Sequence, residues 1–190
     1  FQTTDYSLAG GTVTLGDVAR VDVSPFTHAT ISSVIAGSSG LTKTGNGTLF
    51  LTSAANTYTG DTVIRGGTVV ITNEAQLGAS TTAIGIHGIA NTGNPGYSGG
   101  QLIVNGTAAP VTMNREIGIS GRGPGTANGV GGLTSIGNNI FNGDITLGGP
   151  ASEARIMANY GTTTINGDVF VGTGVPNYFL GNGNFIVNGR

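Results

Sequence analysis

The sequence predicts an all-β fold, a right-handed parallel β-helix, on three observations. Short segments of alternating apolar and polar residues recur between Gly- and Asn-containing turns. Their spacing clusters at one value: Leu49 to Val69 is 20 residues, Asn142 to Asn166 is 24 and Asn166 to Asn188 is 22. That length fits three short strands and three turns, one coil of a solenoid whose coils stack at ~4.8 Å. Helix-forming stretches are nearly absent: MNREIG (113–118) and ASEARIMA (151–158) have suitable composition, but both are short and bounded by glycine. At this coil length the 190 residues make about eight or nine coils, a rod of about 40 Å.

The strand segments follow in order. GGTVTLG (10–16) points Val13 and Leu15 inward, and GTLFLT (47–52) does the same with Leu49 and Leu51. GGTVVIT (66–72) contributes Val69 and Ile71, and GGQLIVNG (99–106) contributes Leu102 and Val104. NGDITLGG (142–149) supplies Ile145 and Leu147, NGDVFVGTG (166–174) Val169 and Val171, and GNFIVNG (183–189) Phe185 and Val187. Aliphatic and β-branched residues dominate this set, as a half-buried pleated surface prefers. Asn-Gly pairs begin at 46, 105, 128, 142, 166, 182 and 188 and supply tight turns. Asn-Gly between strands also suits antiparallel hairpins, so a sandwich or meander is the competing fold. The coil-length spacing favours the solenoid. Long Gly, Asn and Pro segments at 86–100, 120–132 and 171–183 are expected to leave the coils as loops.

Charge is scarce, at 8% of residues, while glycine reaches 36 of 190. Like side chains stack in columns in a solenoid, where charges repel and Thr or Asn hydrogen-bond. With a net charge of −2 and its basic residues scattered singly, the chain has no footprint for nucleic acid. No apolar run approaches the ~20 residues of a spanning helix, so membrane insertion is not expected. The absence of cysteine excludes disulfides and thiolate metal sites. It points weakly to an exported protein.

The stretch LTKTGNGTLFLTSAANTYTGDTVIRGGTVVIT (41–72) resembles the autotransporter-associated β-strand repeat, also called the passenger-associated transport repeat. The hallmark is Leu-x-Lys-x-Gly-x-Gly-Thr-Leu, then Asn-Thr-Tyr-Thr-Gly, then a Gly-Thr-hydrophobic strand. The match spans residues 40–78 and includes Leu41, Lys43, Gly45, Gly47, Asn56, Tyr58, Gly60, Gly66 and Gly67. The resemblance implies an exported bacterial surface protein with a parallel β-helical passenger. Residues 79–190 keep the strand pattern without the signature, and the whole chain reads as one solenoid segment, either a fragment of a larger passenger or a subunit that assembles by another route.

Candidate chemistry is sparse. His28 and His87 are the only histidines, and neither sits in a nucleophile motif. Asp144 and Asp168 both follow Asn-Gly, 24 residues apart, and would stack one coil apart. They are the pair a carbohydrate-active β-helix enzyme would use, but Asp after Asn-Gly also simply satisfies turn amides. GRGPG (121–125) lacks the ending and helix of a phosphate loop. No catalytic residue, cofactor or metal is expected. Interaction is assigned to Tyr97, Arg122 and Tyr178 on the loops and to outward apolar residues Phe50, Val70, Ile103, Phe170 and Ile186. Stacked on one side, the apolar set would favour lateral self-association, and uncapped ends would favour head-to-tail stacking into filaments. The expected function is a non-catalytic extracellular scaffold, stalk or adhesive surface. Surface glycans or proteins are its possible partners, with a β-helix lyase or hydrolase, or a loop-based glycan adhesin, as alternatives.

Overall fold

The computed structural model describes residues 5–17, 19–79, 81–88, 99–124, 131–148, 153–173 and 176–190. Every strand pairing among them is parallel, and strands pair across coils rather than with their sequence neighbours. The chain is a right-handed parallel β-helix.

One face carries Tyr6–Leu8, His28–Ile31, Thr48–Leu51, Gly67–Ile71, Gly100–Met113, Leu133–Phe141, Ala154–Tyr160 and Asn177–Leu180, paired in that order. A second carries Arg20–Asp22, Leu41–Thr44, Thr62–Ile64, Ile84–His87, Ile117–Ser120, Ile145–Leu147 and Val169–Val171. On a third side Thr12–Thr14 pairs with Val34–Ala36. Further along that end of the coils, the far halves of Gly100–Met113 and Leu133–Phe141 continue into Thr162–Ile165 and Asn184–Val187.

Parallel register turns the period-2 pattern into columns. Ala29, Leu49, Val69, Leu102, Leu133 and Ile156 stand one above another, each at most 1% exposed. Ile64, Ile86, Ile119 and Leu147 form the facing column, and Met113, Phe141 and Ile165 the third. These columns meet in one continuous core. Each of these side chains except Ala29 contributes about 1.5–3 kcal/mol by leaving water.

Coil length varies where the sequence predicts excursions. Gln101 bonds both Thr68 and Thr134 at a separation of 33 residues, whereas Asn188 reaches Asn166 across 22. The extra residues fall in 86–100 and 120–132, although the structured strands reach further in than expected, to His87 and Ser120. The third expected excursion is corrected more strongly. Within 171–183, Asn177–Leu180 is a strand paired with Ala154–Met157. Pro176 hides it in the sequence by reading as a turn residue. Likewise 154–160 is strand, because Ala154, Ile156 and Ala158 alternate inward whatever their helix propensity. The one helical turn among the described residues is the 3-10 segment Glu74–Leu77.

Two residues of the inward set are exposed: Val171 at 59% and Val187 at 48%. They continue the Leu147 and Ile165 columns, but no described coil lies over them. Val13, Leu15, Val169 and Phe185 are half-buried, also in coils near either end of the described stack.

The corner between two faces is built by a register irregularity between Gly106 and Val111. Gly137 answers it with φ 83, and a Cβ there would lie 2.6 Å from the Gly106 carbonyl. Buried Asn139 fills the gap. Its Oδ1 accepts the Val111 amide at 3.1 Å while its Nδ2 donates to Val104 O, Ser135 Oγ and Ile136 O at 2.9–3.1 Å.

At another corner asparagines form a ladder. Nδ2 of Asn142, Asn166 and Asn188 donates in turn to Oδ1 of Asn114, Asn142 and Asn166, at 2.9, 2.8 and 2.8 Å. Glu74 closes the first end by accepting from both Asn114 nitrogens, at 2.7 and 3.0 Å. Asn166→Asp replaces a donor by a carboxylate facing the Asn142 oxygen. It is expected to cost about 1–2 kcal/mol at pH 7. Much of that should return below pH ~4, where the acid is protonated and donates again. Urea denaturation of both proteins at the two pH values measures the difference.

Candidate functional site

The most densely bonded polar cluster lies inside the 41–72 stretch, and it is interior. Lys43, the sole lysine of the chain, is 1% exposed and points into the solenoid from the second face. Its Nζ donates to the carbonyls of Thr44 (2.7 Å), Gly45 (2.8 Å) and, one coil on, Gly66 (3.0 Å). An ammonium has three donors and each has an acceptor here. Burial lowers its pKa to about 8, with the Asp22 carboxylate acting in the opposite sense.

Asn56 works the same way across three coils. Its Oδ1 accepts the Ile35 amide (2.8 Å) behind it, and its Nδ2 donates to Gln76 O (2.7 Å) ahead. Tyr58, fully buried, shares a 2.8 Å hydrogen bond with Thr62 Oγ1, and burial raises its phenol to about 12. Gln76 accepts from the Thr72 amide (2.8 Å) and donates to Thr72 Oγ1 (3.1 Å). Arg115 donates to Leu77 O at 2.7 Å, and its amide donates to Glu74 at 3.0 Å, joining the repeat to a coil about 40 residues on. Lys43, Asn56 and Arg115 therefore bond between coils, and Tyr58 and Gln76 bond locally in the same interior. Asn56→Ala, which orphans the Ile35 amide and the Gln76 carbonyl, is expected to cost about 2–3 kcal/mol in chemical denaturation.

The residues assigned to interaction do not form one surface. Phe50, Val70 and Ile103 do stack in adjacent coils, half-buried, in an outward column continued by Thr30 below and Thr134 above. Phe170 stands on the second face beside Thr146, and Ile186 on the third side beside Thr164. A single stripe of all five is thus corrected. Alternation sets which residues face outward, but the face depends on where each coil turns. Arg122 and Tyr178, from different expected loops, come together. Glu153 accepts from Arg122 Nε (3.0 Å) and Arg155 Nη2 (2.8 Å), and the Arg155 guanidinium lies 5.2 Å from the Tyr178 ring centroid. Tyr97 lies outside the described residues. A residue missed from sequence is Phe26, fully exposed with φ 61. Its position after Pro25 in a turn is the signal that was there to read.

Asp144 and Asp168 stack one coil apart as expected, but as acceptors in the backbone ladder. Asp144 Oδ1 takes the Asp168 amide and Asp168 Oδ1 the Arg190 amide, both at 2.8 Å. His28 pairs with Asp5 at 3.2 Å on the first face. His87, 33 residues from Ser120 in sequence, has its Nδ1 3.5 Å from Ser120 Oγ on the second face. Coil stacking creates that proximity, which no motif could reveal. Burial and the Arg65 guanidinium lower the His87 pKa. Among the described residues no three His, Asp or Glu gather as a metal site would need. No helix of the described residues is long and apolar enough to cross a membrane.

A shallow trough of about 320 Å³ runs along the second face. Its floor is the outward column Val63, Gly85, Gly118 and Thr146. Asp61 and Ala83 line one side, and His87, Ser120 and Gly148 the other.

Comparison with known proteins agrees with these observations. A family model described as passenger-associated-transport-repeat matches residues 41–71. The chain is 38% identical over 135 residues, 70% of its length, to the adhesin BmaC autotransporter of Brucella suis biovar 1 (strain 1330). It spans about 4% of that relative's length. No solved structure matches the chain. Residues 41–71 therefore match a passenger-associated-transport repeat, in a chain similar to part of an autotransporter adhesin.

Proposed function

We propose that this segment is a non-catalytic β-solenoid scaffold within an extracellular, adhesin-type surface passenger, holding adhesive surfaces away from the cell. The observation that carries the reading is that the polar side chains of the repeat are spent inside the solenoid: Lys43 and Asn56 bond across coils, while Tyr58 and Gln76 bond Thr62 and Thr72 four residues away. The catalytic alternative loses its support where Asp144 and Asp168 serve backbone amides. Similarity to a protein named an adhesin supports the adhesive part. Self-association belongs to the same reading, and its best-placed side chains are the stacked Phe50, Val70 and Ile103.

The test uses bacteria displaying the full-length passenger. In-frame deletion of the segment is expected to reduce attachment to host cells severalfold, whereas Asp144→Asn with Asp168→Asn leaves it unchanged. Unchanged attachment after the deletion would remove the adhesive reading. Glycan turnover by the purified chain, abolished in the Asn variants, would establish the enzymatic one instead.

A further inference from the structure

The trough on the second face is open and shallow, with a volume of about 320 Å³. Its walls come from four adjacent coils, Thr62–Ile64, Ile84–His87, Ile117–Ser120 and Ile145–Leu147, so it runs about 14 Å along the solenoid axis. Polar side chains of differing character converge on it: the Asp61 carboxylate on one wall, the His87 imidazole and Ser120 hydroxyl on the other, and the Thr146 hydroxyl at one end of the floor. Val63 makes the other end of the floor apolar.

The open part of the floor comes from Gly118, a glycine that the backbone does not demand. Gly118 lacks the positive φ of the turn glycines, and a Cβ there would meet only the Ile84 carbonyl, at 4.0 Å. Gly85 also lacks positive φ, but the tip of the His87 ring lies over it, 2.8 Å from where a Cβ would stand. Glycine inside a strand weakens it. Neither sterics nor conformation accounts for that cost at Gly118, but an open floor does.

We propose that this trough binds a short neutral oligosaccharide lying along the axis, with an apolar ring face on the Val63 and glycine floor. A sugar hydroxyl both donates and accepts. It therefore suits a wall with a carboxylate acceptor and an opposite wall with hydroxyl and imidazole groups. Asp61 on one wall and the Arg65 guanidinium near His87 on the other leave no single-sign field to favour a polyanion. An extended peptide would need an open strand edge, and all four strands of the trough are paired on both sides. The site differs from the corner loops and from the Asp144–Asp168 pair. The inference rests on the adhesive reading for its biological use, but direct sugar binding tests it separately from cell attachment.

Titration of the isotope-labelled chain with cellotriose, maltotriose, mannotriose and chitotriose, followed by amide NMR, is the experiment. At least one is expected to give saturable shifts at Gly85, Gly118 and Ser120. Gly118→Val, a β-branched residue in a strand with room for it, should keep the melting temperature and weaken that binding about tenfold or more. Asp61→Asn, exposed and unable to disturb the fold, should weaken it as well and serves if the valine variant does not fold. No shifts with any trisaccharide up to about 10 mM would overturn the proposal. So would undiminished binding in a folded Gly118→Val or in Asp61→Asn, or shifts only with a sulfated heparin tetrasaccharide or a peptide.

Discussion

Lys43→Ala is expected to lower the unfolding free energy by about 4 kcal/mol, the largest loss from any single side-chain truncation in the repeat. Two terms add. Truncation leaves a cavity where a four-carbon stem was fully enclosed, and it removes the donors to Thr44, Gly45 and Gly66 carbonyls. Lys43→Met separates them, since it refills the cavity but restores no donor. Only about 1–2 kcal/mol should be lost there, partly because the Thr44 carbonyl keeps the Val23 amide at 3.1 Å and no ion is buried.

The same residue sets a pH dependence of opposite sense to the usual salt-bridge case. Its folded pKa of about 8 lies below the ordinary 10.5, so between these values the unfolded chain holds a proton that the folded chain has released. Stability therefore rises with pH from about 8 toward 10. Tyr58 then reverses the trend. Its folded pKa of about 12 exceeds the ordinary 10.0, so its contribution is full below pH 10 and is lost as pH climbs toward 12. A maximum near pH 10 is expected in the wild-type chain, and Lys43→Met should flatten the rising limb alone. Denaturant titrations across pH 7 to 12 are the measurement.

Gly67→Ala is expected to cost about 3–5 kcal/mol, while Gly66→Ala costs about 1. The two glycines are adjacent and alike in composition. Gly67 has φ 64, and its Cβ would fall 2.3 Å from the Gly47 carbonyl of the preceding coil. Gly66 needs no positive φ, and its nearest neighbour would be the Gly45 carbonyl at 3.3 Å. Similar losses at both positions, measured by chemical denaturation, would show that the turn tolerates a Cβ and that coil contact is looser than the structure places it.

The architecture was legible in the sequence because it depends on local alternation and a repeat length. Leu49 and Val69, 20 residues apart, announce both, and they stand with Leu102 in one buried column. Strand Asn177–Leu180 was not legible, because Pro176 and Asn177 resemble a turn and only the register with Ala154–Met157 shows a coil continuing. The trough was invisible for a deeper reason. Gly85 and Gly118, or His87 and Ser120, are 33 residues apart, and their adjacency depends on how many residues leave the coil at the excursion between them. Composition gives no such count. The role of Lys43 was hidden by the habit that places lysine on surfaces. Its immediate neighbours Thr42 and Thr44 face outward in a strand whose alternation already pointed it inward.

The central claim is that the signature residues hold coils together from inside, and the sole lysine allows it to be tested directly. The folded chain is treated with an amine-acylating reagent at neutral pH and the modified sites are read by peptide mass spectrometry. Only the α-amino terminus should react, with Lys43 becoming modified when the chain is first unfolded in guanidinium. Rapid native-state acylation of Lys43, at the rate of a free lysine, would place its ammonium on the surface and contradict the interior staple on which this account of the repeat depends.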